Sequence, residues 1–321
     1  MKFTESMLDE YSQPLSSTED AQCKQAISTV RDALTVLSFT DDGRGITPLY
    51  SDTAAYAIEM RSLDHLRKIK LFVQGSYANN TNVRKESDVD IAVIEESIFR
   101  TEYRSGITDE DYKINITSRT PNEFKDEVQR ALEVKFGNDV ERGDKSVKVH
   151  GNSYRKDADT VPCLRNRDYR NDYNFDSSNY IGGIAIYPDS GGVLINYPEQ
   201  HIYNGRQKNK ATSGYFKKMV RIMKKMRYLM QDHDYLSANN VSSFMLESML
   251  WNVSDIWYSL YCDMFSRVKV FAELIKVLIK KKHSFMSWKE ANGIKPLCPD
   301  ENAYKWLCRF VEDLSAFYEY E

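Results

Sequence analysis

The chain has 321 residues, 41% of them hydrophobic and 28% charged, with a formal net charge of −3. That is enough for two modest domains sharing a groove, or for one large one, of ordinary folded composition, and the near balance of charge counts against a protein built mainly to grip nucleic acid. Five scattered cysteines (Cys23, Cys163, Cys262, Cys298, Cys308) form no C-x-x-C pair and read as reduced thiols, not as a disulfide framework or a zinc site. The opening MKFTESMLDEYSQ lacks a basic start followed by an apolar run. The most apolar stretch, VKVFAELIKVLI (268–279), carries lysines and is too short to span a bilayer. The expectation is a cytoplasmic protein with no membrane contact.

Residues 16–37 predict a helix: SSTED supplies caps and first-turn acids, and Cys23, Ile27, Val30, Leu34 and Leu37 recur at helical spacing. FTDDGRGITPLY (39–50) breaks the pattern. A second amphipathic helix is expected over 52–68, followed by a strand, KIKLFVQG (68–75). PNEFKDEVQRALEVKFG (121–137) reads as a helix opened by proline and closed by glycine. KSVKVHG (145–151) and DADTVPCL (157–164) alternate as strands, RNRDYRNDYNFDSSNY (165–180) reads as a loop, and IGGIAIYPDSGGVLINYP (181–198) as a hairpin. From about 213 onward the pattern is helical, over 213–231, 241–280 with one break, and 302–319. The N-terminal helix suggests a spine behind the core.

QGSYANNTNVRKESDVDIAVI (74–94) carries the chemistry. Side chains at i and i+2 of a strand share a face, so Asp88 and Asp90 project together while Val89, Ile91 and Val93 pack. Two carboxylates that close repel unless a cation neutralises them, and oxygen-only ligands favour magnesium or manganese. Gly75 and Ser76 end the preceding strand, where a backbone free of a Cβ can approach phosphate oxygens. A two-metal site needs a third carboxylate on a neighbouring strand. Asp159 in DADTVP supplies it, with Asp157 on the same face as the rival. A lone D-x-D is equally a solvated strand start. The combination of strand, G-S, D-x-D and a later strand acid favours the metal site.

In helix 213–231, Met219, Met223, Met226 and Met230 form a core stripe, and Lys217, Arg221 and Lys224 fall on the opposite side. Solvation is the expectation for Lys217 and Lys218, while Lys224 is a candidate for phosphate.

GSYANNTNVRKESDVDIAV resembles the signature of the polymerase-β-like nucleotidyltransferases. YRKDADTVPC, NYPEQHIYNGRQKNKATSGYFKKMVRIMKKMR and VSSFMLESML are similar to one branch of them, the bacterial relatives of cyclic GMP–AMP synthase, the oligonucleotide cyclases (CD-NTases) of anti-phage CBASS operons. The resemblance runs over about 70–255. It implies an α+β fold: a polymerase-β-like core, a mixed sheet with helices (1–205), plus a C-terminal helical domain (206–321), with the active site in the cleft. It implies two magnesium (or manganese) ions on Asp88, Asp90 and Asp159, the last also deprotonating the attacking ribose hydroxyl. Gly75 and Ser76 become the triphosphate loop, Lys224 and Ser243 its lysine and serine, and Phe244 the ring that stacks on a base. Asn196 lies near a base edge.

The implied reaction joins nucleoside triphosphates into a cyclic di- or trinucleotide, read by a separately encoded effector. A regulatory protein or phage-derived activator is a further expected partner. His65, His150, His201, His233 and His283 are far apart and show no zinc insertion, which weighs against activation by DNA. Two alternatives stand beside this reading: a linear or acceptor-directed nucleotidyltransferase (2′-5′ oligoadenylate, tRNA or protein target), and a catalytically inactive nucleotide-binding member.

Overall fold

The computed structural model describes residues 2–41, 48–50, 53–64, 66–84, 88–114, 120–260 and 266–320; His65 and Cys262 lie outside them. In chain order the elements are β1 (Lys2–Phe3), α1 (Glu5–Ser12), α2 (Ser17–Leu34), β2 (Phe39–Asp41), β3 (Ala57–Ser62), β4 (Lys68–Gln74), α3 (Gly75–Ala78) and β5 (Val89–Glu102). Then come α4 (Pro121–Phe136), β6 (Val140–Arg142), β7 (Val147–Val149), β8 (Ala158–Asp168), β9 (Ile181–Ile186) and β10 (Leu194–Asn196). The remainder is α5 (Pro198–Ala211), α6 (Tyr215–Asp232), α7 (Leu236–Asn239), α8 (Ser243–Asn252), α9 (Ile256–Ser259), α10 (Arg267–Lys281), α11 (Glu301–Phe317) and β11 (Glu319–Tyr320).

The chain divides into two units that interleave in sequence: 17–78 with 88–199, and 1–16 with 79–87 and 200–321. α1 and the segment after α3 group with the C-terminal helices. The helix expected over 16–37 is α2, and α1 precedes it as a separate helix. Only α2 belongs with the sheet, where it packs against α4 and β5.

In the first unit, nine strands form one mixed sheet, with the path β10-β9-β8-β5-β4-β3-β2 and with β6 and β7 joined beside β8. The long central pair, β5 and β8, is parallel, and among the described residues every other pairing in this sheet is antiparallel. α2 buries Cys23, Ala26, Ile27, Val30, Ala33 and Leu34, a stripe at helical spacing. α4 starts on a capping box, Thr120 with Glu123, and Pro121 needs no backbone donor in its first turn.

Two sequence expectations fail here. The helix over 52–68 is instead a strand, β3, whose inward residues are Ile58, Met60 and Ser62. A polar serine in the third inward position hides the alternation, while Glu59 and Arg61 are good helix formers. The loop over 165–180 begins only after Asp168, because β8 runs on beside the 14-residue β5 and pairs with β9 over 164–168.

In the second unit the core gathers the four methionines of α6 (Met219, Met223, Met226, Met230), all fully buried, with Leu246, Phe271, Phe310 and others. β1 pairs with β11, tying the two ends of the chain together. The far side of α6 is not solvated. Lys217, Arg221 and Lys224 are all buried, whereas Lys218, over the Tyr215 ring, is partly exposed, as are Lys225 and Arg227. The Arg221 guanidinium donates to the carbonyls of Ser12 and Asn80. Its helix packs between partners distant in sequence, so a one-sided amphipathic reading undercounts its burial. Among the described residues no helix is long and apolar enough to cross a membrane.

Candidate functional site

The parallel register of β5 and β8 sets Asp90 beside Asp159, and the antiparallel register of β7 and β8 sets Lys148 on the other side of Asp159. Three adjacent strands thus present acid, acid and base in one row. Alternation brings Asp88 and Asp157 to the same face, one step along, while Val89, Ala158, Val147 and Val149 are buried. The sequence therefore places its acids as expected, with a lysine among them that it did not single out.

Lys148 Nζ lies 2.9 Å from Asp157 Oδ2 and 3.3 Å from Asp88 Oδ2. The hydrogen bond to Asp157, with Asp88 beside it, holds the ammonium above its usual range. Asp157 also accepts the Gly151 N–H at 2.6 Å. Burial alone would raise its carboxyl, but Lys148 and that amide outweigh it and leave it below the usual value. Asp159 is the contrast. Half-buried, with no hydrogen-bond partner among the described residues, its carboxyl is raised, first by burial and then by Asp88 and Asp157, against the pull of Lys148. Asp157 is satisfied by the protein and Asp159 is not.

Gly75 takes φ +69°, a left-handed backbone, and an added Cβ would fall 2.0 Å from Asp90 Oδ2. Only glycine fits there, so the turn that leads from β4 into α3 and the Asp90 carboxylate occupy space a side chain would fill. Ser76 follows within α3. Asn196 ends β10 and is exposed.

The donor set on this face suits a hard divalent cation: aspartate oxygens on neighbouring strands, one of them half-buried and uncompensated. The carboxylates are nevertheless not closed round a common point. Among the described residues no three His, Cys, Asp or Glu side chains stand close enough to enclose an ion as they are. Lys148 takes up part of the charge instead.

The helical unit carries the other expected residues. Lys224 is buried, its Nζ donating to Glu247 Oε2 at 2.7 Å and Thr81 Oγ1 at 3.0 Å. Glu247 also contacts His201 Nε2 at 2.8 Å and accepts from Thr81 at 2.8 Å. Burial would raise the Glu247 carboxyl, but Lys224 and His201 outweigh it and hold it well below the usual range. Ser243 opens α8 after the Ser242 cap, and Phe244 meets His201 edge-on at 4.9 Å. Sequence reasoning missed Glu247, Thr81 and Lys148. The Val-Lys-Val alternation of β7 shows that Lys148 leaves the core, but not which strand it faces.

Comparison with known proteins adds the following. A model of the cGAS/DncV-like nucleotidyltransferase C-terminal helical domain matches residues 203–319, and one of the nucleotidyltransferase domain matches residues 58–146. The chain is 44% identical over 321 residues to a cyclic GMP-AMP synthase, CdnE03, of Staphylococcus schleiferi, covering 100% of this chain and 98% of that one. It is 33% identical over 313 residues to a cyclic dipyrimidine nucleotide synthase, CdnE, of Cecembia lonarensis, covering 97% and 95%. The solved structure of Elizabethkingia meningoseptica CdnE cyclic dinucleotide synthase with GTP and Apcpp superposes with a TM-score of 0.70 at 28% identity, covering 98% and 99%.

Proposed function

The chain belongs to the cGAS/DncV-like nucleotidyltransferases, and from that premise we propose that it joins nucleoside triphosphates into a cyclic dinucleotide with release of pyrophosphate. It is an enzyme of the nucleotidyltransferase class. The observation that carries the reading is the row formed by Asp90 and Asp159 with Asp88 on the same face, against a Gly75 that admits no side chain. The name of the Staphylococcus schleiferi relative makes cyclic GMP–AMP the first product to look for.

In this reading Asp88, Asp90 and Asp159 hold two magnesium or manganese ions. When bound, the ions supply the positive charge that lets a ribose hydroxyl lose its proton and pyrophosphate depart. Asp159 is the residue assigned to take that proton. Gly75 lets the backbone approach, and Ser76 donates to phosphate oxygens. Two successive ribose hydroxyls attack α-phosphates, and the second attack closes the ring. In the helical unit Lys224 and Ser243 are assigned to the triphosphate and Phe244 to a base; Asn196 is assigned to a base edge. These four rest on the resemblance of their local motifs, and Lys224 comes to its role with its charge already countered by Glu247.

The product is then a signal for a separately encoded effector in anti-phage defence, made in the cytoplasm, with a regulatory protein or phage-derived activator setting its timing. Asp88→Asn and Asp90→Asn should each abolish pyrophosphate release from GTP with ATP while leaving the circular dichroism spectrum unchanged. Normal turnover by either soluble variant contradicts the assignment.

A further inference from the structure

We propose that Lys148 is a positioning residue of the carboxylate cluster: an internal counter-cation that holds Asp88 and Asp157 together in the metal-free protein and releases Asp88 when a divalent cation binds. Asp157 then serves Lys148, not the cation. The inference rests on the reading of Asp88, Asp90 and Asp159 as a divalent-cation site.

Four observations point the same way. Val147 and Val149 are buried, so strand alternation sends Lys148 to the acid face, and register sets it next to Asp159. Its two contacts are unequal: 2.9 Å to Asp157 and 3.3 Å to Asp88. Asp157 has a second anchor, since its other oxygen accepts the Gly151 N–H at 2.6 Å. Exposure completes the case, with 45% of the Asp88 side chain open to solvent against 34% for Asp157 and 30% for Lys148. Asp157 is therefore the fixed end of the pair and Asp88 the end that can let go at small cost. A bare dication entering beside Asp88 meets the repulsion of the ammonium, whereas a cation arriving on a triphosphate brings compensating negative charge. Lys148 thus biases the site against free cations.

The test is Mn2+ binding to the full chain without nucleotide, read by the electron paramagnetic resonance signal of free Mn2+. Lys148→Met should bind Mn2+ roughly three- to tenfold tighter than the wild type, the scale of one partly exposed charge at ion-pair distance. Lys148→Arg, which keeps the charge, should bind about as tightly as the wild type. Asp157→Asn should weaken binding in the wild-type background, by turning Lys148 fully onto Asp88, and have no effect in the Lys148→Met background. The proposal is overturned if Lys148→Met binds no tighter. It is equally overturned if Asp157→Asn weakens binding alike in both backgrounds, which would make Asp157 a ligand. Equal Mn2+ binding by the wild type and Asp88→Asn would instead remove the cation-site reading itself.

Discussion

Replacing Glu247 with alanine should be among the most damaging single changes to the helical unit. Its carboxylate, 2% exposed, receives Lys224 at 2.7 Å, Thr81 at 2.8 Å and His201 at 2.8 Å. Alanine would leave the Lys224 ammonium, 4% exposed, without its counter-charge. Breaking a buried pair from one side costs about 3–5 kcal/mol, because the remaining charge is neither hydrated nor paired. With a urea m value of about 2 kcal/mol/M, the midpoint should fall by about 2 M. The assay is selective by good fortune: all four tryptophans, Trp251, Trp257, Trp288 and Trp306, lie in this unit, so their fluorescence follows its unfolding. Glu247→Leu combined with Lys224→Met, which removes both charges, should recover most of the loss. A loss under about 1 kcal/mol for Glu247→Ala would refute the claim that this pair is buried and mutually dependent.

Three further outcomes follow from the geometry. Gly75→Ala should remove activity and lower the melting temperature, since a Cβ 2.0 Å from Asp90 Oδ2 would displace that carboxylate and the left-handed backbone adds strain; wild-type activity would contradict the close approach. Asp159→Asn should be inactive yet more heat-stable than the wild type in EDTA at neutral pH. Its folded carboxyl is raised above the unfolded value of 3.8, so its contribution is most favourable when protonated and declines as pH rises from that value through the folded one. The gain should therefore vanish in melts run below the ordinary carboxylate range, and a variant less stable than the wild type at neutral pH would refute the sign. Lys224→Ala should destabilise the helical unit, because it leaves the Glu247 carboxylate buried beside a lost counter-charge, and should also raise the KM for triphosphate in steady-state assays; an unchanged KM in the folded variant would take Lys224 out of the binding role.

What could be read from the sequence was local. The paired acids opening β5 were legible because strand alternation needs only neighbouring residues, and so were the α4 cap and the methionine stripe of α6. Asp159 was legible as a candidate but not separable from Asp157. That distinction depends on Lys148 and Gly151 satisfying one carboxyl and leaving the other, and on a register that no local pattern encodes. Lys217, expected to be solvated, is buried for a related reason: its face of α6 packs against residues far away in the chain, where Arg221 meets the carbonyls of Ser12 and Asn80 and Lys224 meets Glu247. The β3 strand was hidden by composition: two apolar residues and a serine point inward, too few to outweigh helix-forming neighbours.

The most direct test of the account is to incubate the protein with all four labelled nucleoside triphosphates, with magnesium and separately with manganese. The products are then treated with phosphatase and weighed by mass spectrometry. The account predicts a phosphatase-resistant species with the mass of a cyclic dinucleotide, formed by the wild type and absent with Asp88→Asn. A product that phosphatase degrades, or the same resistant species from Asp88→Asn, would contradict it.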